Sequence, residues 1–231
     1  MTQDISPRSA RLRILLFLAA AISILAAFYL LSSVSNTLNT LTVVEAERDQ
    51  WQRPAEVLRS LGIGEGSRVV DLGSGAGYFT LKLADLTGKR GKVLAVDLRR
   101  MSLFFLRLRT WLRHVHNIEI IVGTPDDPHL PAGRADAVLI SNTYHEFTNP
   151  RLMLDRVWVA LHPGGRLVIV DRGPRASAGQ TDSGAAPGHE IPPASVEQQL
   201  REKGFEILSR NDGFIDRPGD EPWWLITAGR P

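Results

Sequence analysis

One stretch of this chain limits its fold more than any other: a β-branched run that meets three glycines at alternate positions. Residues 69–80 read Val-Val-Asp-Leu-Gly-Ser-Gly-Ala-Gly-Tyr-Phe-Thr. Val69–Leu72 has the character of a short buried strand, Gly73, Gly75 and Gly77 force a turn, and the residues beyond are helix formers. Glycine lacks a Cβ, so such a turn bends sharply and lets a ligand touch the backbone. The helix that follows turns unpaired N–H groups toward that ligand. The dinucleotide fingerprint G-x-G-x-x-G needs its third glycine at position 78, and Tyr78 stands there. A glycine turn that holds nothing is the plain alternative, and the strand–turn–helix context weighs against it.

The same rhythm continues along the chain. Pro54–Leu61 reads as a helix, with Pro54 in its first turn and Ala55, Leu58 and Leu61 at helical spacing. Arg68–Leu72, Lys92–Asp97, Ile118–Val122, Ala135–Ser141 and Arg166–Asp171 read as strands. Ala76–Leu86, Met101–Val115 and Pro150–Leu161 read as the helices between them. Apolar strands alternating with helices predict a parallel sheet buried on both faces, with right-handed crossovers and a ligand at the carboxyl ends of the strands. Ala194–Lys203 adds a helix, and Phe205–Arg210 and Trp223–Ala228 add strands six and seven. The fold class is thus α/β, a doubly wound and mostly parallel seven-stranded sheet, occupying residues 50–231.

Ahead of it lies a basic tail, residues 1–13, and then an apolar run. Ile14–Leu31 carries no charge, and eighteen residues of helix cover about 27 Å, close to the hydrocarbon thickness of a bilayer. A single transmembrane helix is the favoured reading. A cleaved signal peptide usually has a shorter apolar core and a small-residue cleavage site, and the exit here reads Ser32-Ser33-Val34-Ser35-Asn36. A buried core helix is the third alternative. Residues 32–49 are expected to be a juxtamembrane connector, helical near Val43–Arg48. Arg8, Arg11 and Arg13 precede the span and only Arg48 follows it closely, so the charge rule keeps the N-terminus cytosolic and sends the main domain across the membrane. A ligand supplied from the cytosol would argue for the opposite side, and the sequence leaves that conflict open.

Asp71, two residues before the first of the G-x-G-x-G glycines, gives the turn a strong resemblance to motif I of the class I S-adenosylmethionine-dependent methyltransferases, and the likeness extends over residues 50–230. A second landmark of that family, an acid ending strand two, is met by Asp97, 20 residues after Gly77. A carboxylate there can accept hydrogen bonds from two vicinal ribose hydroxyls. The loop after strand three, Gly123-Thr-Pro-Asp-Asp-Pro-His-Leu-Pro131, resembles the family's adenine-binding segment but is two residues longer than G-D-A-x-x-L-P, so Asp126 and Asp127 both stand as the adenine acid. By the same resemblance Ser74, Tyr78, Leu98, Thr124 and Asn142 join Asp71, Gly73, Gly75 and Gly77 as cofactor-binding residues. Ser141-Asn-Thr-Tyr-His-Glu-Phe147 follows strand four, where the transferred methyl should lie, so Tyr144, His145 and Glu146 are the candidate catalytic residues. Histidine titrates near neutrality and suits the role of base for an acceptor that must lose a proton. The alternative is that Tyr144 and Phe147 pack and His145 only holds the loop.

Residues 173–193, rich in Gly, Ala, Ser and Pro and ending in His189-Glu-Ile-Pro-Pro193, form either a lid over the substrate or a linker. Met101, Phe104, Phe105, Leu108, Trp111, Leu112 and Val115 recur at helical spacing and are predicted to face the sheet, leaving Leu103 and Leu106 outside among five arginines. Trp51, Trp223 and Trp224 read as packing aromatics, with Trp51 a candidate to close the cofactor pocket.

Cysteine is absent and the net charge is only +2. Disulfides and thiolate sites are excluded, and neither a metal cluster nor a nucleic-acid surface is expected. The resemblance implies S-adenosyl-L-methionine as cofactor and a small or lipid-soluble acceptor. An NAD-dependent oxidoreductase would also use Asp71–Gly77 and Asp97. A membrane-tethered binding protein that kept the fold and lost the chemistry is the other rival. The oligomeric state is not legible.

Overall fold

In the computed structural model, residues 7–174 and 190–231 are described, and they divide into two units, one up to Glu47 and one from Arg48 onward. The first unit belongs to helix α1 (Pro7–Trp51), which runs 45 residues without a break. Its best 18-residue window has a mean hydropathy of 2.4 and none of it is buried. Among the described residues this is one helix long and apolar enough to cross a membrane. The connector expected over residues 32–49 is helical throughout. Its Ser, Thr and Asn content argued otherwise, since such side chains compete for backbone partners. Here Thr37, Thr40 and Thr42 each donate to the carbonyl four residues back, which spends the hydroxyl inside the helix.

In the second unit the chain runs α2 (Pro54–Ser60), β1 (Arg68–Leu72), α3 (Tyr78–Thr87), β2 (Lys92–Asp97), α4 (Arg100–Leu112), β3 (Ile118–Val122) and β4 (Ala135–Ser141). A 3-10 turn at Tyr144–Glu146, α5 (Pro150–Ala160), β5 (Leu161–Arg172), α6 (Pro193–Lys203), β6 (Glu206–Ile215) and β7 (Trp223–Gly229) complete it. The sheet order is β3-β2-β1-β4-β5-β7-β6. The first five strands pair in parallel, and β7 pairs antiparallel with both β5 and β6. This is the predicted doubly wound, mostly parallel seven-stranded sheet, and β6 and β7 form an antiparallel hairpin at its edge.

Alternate residues of each strand feed opposite cores, because side chains alternate across a pleat. Val70, Leu94, Val138 and Leu167 pack with Leu154, Val157 and Leu200 of α5 and α6. Their neighbours Val69, Val93, Leu139 and Val168 pack on the other side with Val57, Phe79 and Leu83 of α2 and α3. Both faces are covered, which is why these strands are almost wholly apolar.

Helix α4 overturns one expectation. Leu103 and Leu106 are its buried apolar residues, packed on Ala95 of β2, whereas Met101 is 67% and Trp111 71% exposed, and Phe104 and Leu112 are also exposed. Val115, just beyond the helix, does pack inward. Apolar side chains occupy so much of this helix's circumference that its spacing does not define one phase. The phase is set by the glycine turn: a Cβ at Gly77 would lie 2.5 Å from Leu106 Cδ1, so the turn seats Leu106. Arg109, on the same face, is buried and donates through Nη1 to the Ala76 carbonyl at 2.5 Å. Gly77 itself, at φ +97°, starts α3 at Tyr78 rather than Ala76.

Candidate active site

The strand order reverses between β1 and β4, and in such sheets the crevice at the carboxyl ends of those strands receives the ligand. The backbone N–H groups of Gly73 and Ser74 donate to the Val96 carbonyl at 2.8 and 2.9 Å. Gly75 N–H donates to Asp97 Oδ2 at 2.8 Å, and Arg99 N–H donates to Oδ1 at 2.8 Å. Asp97 thus ties the glycine turn of β1 to the tip of β2. A Cβ at Gly73 would lie 2.1 Å from Thr143 Oγ1, whereas at Gly75 it would meet nothing within 4 Å. Gly73 is therefore needed by the protein's own packing, and Gly75 borders open space that a ligand can enter.

A cleft opens beside this turn, with Gly73, Asp97 and Leu98 on one side, Thr124 on another, and Thr143 and Glu146 facing them. Ser74 Oγ and Asn142 Oδ1 are buried without a hydrogen-bond partner. Buried polar atoms are rarely left unpaired. A donor and an acceptor at the tips of adjacent strands fit the carboxylate and ammonium of an amino acid such as the methionyl part of S-adenosylmethionine. Asn142 also takes φ +53°, the left-handed region that asparagine tolerates better than most side-chain residues.

The other expected residues fall in different places. Asp71 is buried behind the turn, where its Oδ2 accepts from Thr80 Oγ1 at 2.5 Å. Burial pushes its carboxyl up to about 6, with Asp97 nearby adding to the rise and the Thr80 bond opposing it. Tyr78 is buried, and its hydroxyl donates to Asp49 at 2.8 Å. In the loop after β3, Gly123, Thr124, Pro125 and Pro128 face the cleft. Asp127 Oδ1 accepts from the His129 N–H at 2.8 Å and Oδ2 lies 3.6 Å from Arg156, while Asp126 is exposed. Trp51 meets Trp223 edge-on at 5.7 Å, as a packing aromatic does.

After β4 the 3-10 turn separates the three catalytic candidates. Tyr144 is fully buried and its hydroxyl donates to Gln199 Oε1 of α6 at 2.9 Å. Burial holds that hydroxyl well above the ordinary tyrosine range. Glu146 is exposed and faces the cleft. His145 has a side chain only 2% exposed, with Nδ1 2.7 Å from Asp171 Oδ1. Asp171, wholly buried, also accepts from the His145 N–H at 3.1 Å and from the Arg172 N–H at 2.8 Å. His145 Nε2 lies 3.4 Å from Arg172 Nη2. A carboxylate only accepts, so Nδ1 is the ring nitrogen directed at Asp171 while Nε2 faces the Arg172 guanidinium. Asp171 belongs to none of the motifs that mark the other candidates. The available signal was an acid ending an otherwise apolar strand, the pattern that marked Asp97.

Of the lid or linker expected over residues 173–193, positions 175–189 lie outside the described residues. Its C-terminal flank is pinned: Ile191 N–H donates to the Arg172 carbonyl at 3.0 Å, and Trp224 Nε1 donates to the Ile191 carbonyl at 2.8 Å. Burial and the neighbouring Glu221 raise the carboxyl of Glu190, while Glu221 pairs with Arg172 at 3.1 Å.

Comparison with known proteins now bears on this geometry. A family of methyltransferase domains matches residues 63–207. A ubiquinone/menaquinone biosynthesis C-methyltransferase of Cronobacter sakazakii is 30% identical over 113 residues, 48% of this chain and 44% of that one. The chain spans about half the length of the curated relatives it matches. A SAM-dependent methyltransferase structure from Aquifex aeolicus superposes with a TM-score of 0.65 at 23% identity, covering 78% of this chain and 90% of that one. The [4+2]-cyclase SpnF does so with a TM-score of 0.67 at 18% identity, covering 78% and 80%. At such identities these two likenesses show the fold alone, and the cyclase illustrates that a fold does not fix a chemistry. The match over residues 63–207 shows that the chain belongs to the methyltransferase-domain family, on the sheet order described above.

Proposed function

We propose that this protein is anchored in a membrane by residues 14–31 and transfers the methyl of S-adenosylmethionine to a small, lipid-soluble acceptor that loses a proton in the reaction. The pairing of His145 with Asp171, next in the chain to the cleft-lining Glu146, carries this reading. The sulfonium supplies an activated methyl, so the protein's task is to align the acceptor and accept its proton. Asp97 would hold the ribose hydroxyls, Gly75 would let the cofactor reach the backbone, and Ser74 and Asn142 would meet its amino-acid end. Thr124, Leu98 and the 123–130 loop would border the adenine, with Asp126 the freer of the two acids to reach its amino group.

His145 would act as the base. Asp171 would fix the ring through Nδ1–H, so Nε2 is the nitrogen that would take the proton. The acceptor reaches Nε2 by displacing the Arg172 guanidinium, whose 3.4 Å contact is a weak one. Glu146, already facing the cleft, would orient the acceptor. Tyr144 would serve as packing. The relatives' quinone-biosynthesis names and the apolar helix both favour an acceptor dissolved in lipid.

The test is methyl transfer from labelled S-adenosylmethionine to a cell lipid extract, followed by mass identification of the product. Incorporation that disappears in His145→Ala while cofactor binding persists supports the reading. Cofactor binding with no incorporation into any extract would instead favour a tethered binding protein. A C-terminal reporter active on one side of the membrane would decide the side, where the charge rule and the cytosolic supply of the cofactor disagree.

A further inference from the structure

We infer that the outward face of α4 is a docking surface for an anionic lipid bilayer, lying flat against it beside the cofactor cleft. The inference rests partly on the anchor reading above, because a tethered domain always has that bilayer within reach. On α4, Met101, Phe104, Trp111 and Leu112 are at least half exposed. Their spacing, with half-buried Leu108, puts them on one side of a 13-residue helix whose other side seats Leu103 and Leu106. Leu98, also half exposed, prolongs the row to the rim of the cleft, which it lines.

The charge around this row has one sign. From Leu98 to Ile118 there are five arginines, two histidines and no carboxylate. Arg109 is spent on the inner side and Arg99 lies 3.4 Å from Asp97, leaving Arg100, Arg107 and Arg113 on the helix and its end. A second cleft adjoins that end, where Lys89, Arg113, His114 and His116 outnumber one carboxylate, Asp85, and Lys92 pairs with Glu119 at 2.6 Å. Exposed aromatic and aliphatic side chains flanked by arginines are the composition of helices that settle into the headgroup layer, and each basic residue near an anionic surface adds attraction. A protein partner would be expected to present carboxylates to match. The bilayer needs no such match, and anionic lipid supplies the charge.

The chain has no cysteine, so single labels report without background. Phe104→Cys, Trp111→Cys and Leu25→Cys would each carry a nitroxide in the full-length protein, reconstituted in vesicles of phosphatidylcholine with or without one part phosphatidylglycerol. Asn211→Cys, on the exposed edge strand β6, is the water control. Lipid-like oxygen accessibility at 104 and 111 in the anionic vesicles, and its loss in Arg100→Glu/Arg107→Glu/Arg113→Glu, is the expected result. Three reversed arginines should weaken docking on the order of a hundredfold or more. Water-like accessibility at 104 and 111 in anionic vesicles overturns the proposal, as does spin–spin broadening between copies at 104, which would assign the face to a second chain. Position 25 reads the anchor separately: lipid at 25 with water at 104 refutes docking and keeps the anchor, while water at 25 with lipid at 104 refutes the anchor and keeps docking.

Discussion

Nδ1 of His145 lies 2.7 Å from Oδ1 of Asp171, although 26 residues separate them in the chain. Parallel pairing of β4 with β5 brings them together, with Ser141 in register with Val170 so that the two strand tips end side by side. The pair sits where the strand order has just reversed, at the end of the sheet that holds the glycine turn.

Asp171→Asn keeps the shape and removes the charge that orients His145. The expected outcome is a fall in kcat on the order of a hundredfold or more, the usual worth of an acid–base group. The dissociation constant for S-adenosylmethionine should move only a few-fold. Steady-state kinetics with calorimetry of cofactor binding measures both. Unchanged kcat in both Asp171→Asn and His145→Gln would sink the base assignment.

Three glycines of one turn should fail in different ways. Gly73→Ala and Gly77→Ala drive a methyl into Thr143 and Leu106 and should lower the melting temperature strongly. Gly75→Ala meets no neighbour, and its φ of +54° costs an alanine about 1–2 kcal/mol. It should fold and yet bind the cofactor poorly, because the methyl enters the space the ligand needs. Thermal melts paired with cofactor titration separate the two effects.

Asp71 links stability to pH. Its carboxyl ordinarily titrates near 3.8 and is pushed up to about 6 by burial, so the folded state holds the proton more tightly than the unfolded one. The contribution of this group is complete below pH 3.8 and is lost as pH rises toward 6, amounting to about 3 kcal/mol. Asp71→Asn should remove that fall and be more stable than the parent at pH 7 by about 1–3 kcal/mol. Denaturant midpoints at pH 4.5 and 7 in detergent check the sign; a variant less stable at pH 7 contradicts it.

Tyr144→Phe deletes a hydroxyl bonded to Gln199 rather than one facing the cleft. A loss of about 1 kcal/mol in stability is expected, with kcat within two- to threefold of the parent. A large kcat defect at unchanged stability would return Tyr144 to the chemistry.

The sequence by itself determined the alternating strands and helices, the glycine turn, Asp97 as the tip of β2 and the apolar helix, because each is written in local periodicity or in the absence of a side chain. Only the tertiary structure decided which face of α4 is inward, since a helix apolar on most of its surface has no preferred phase until Gly77 offers Leu106 a seat. It likewise decided that Asp127 turns to its own loop and Arg156 while Thr124 faces the cleft. Asp171 meets His145 only because strand pairing brings their strand tips together. Spacing along a chain records what neighbours in sequence can do together, and it carries no record of which strand tips will meet.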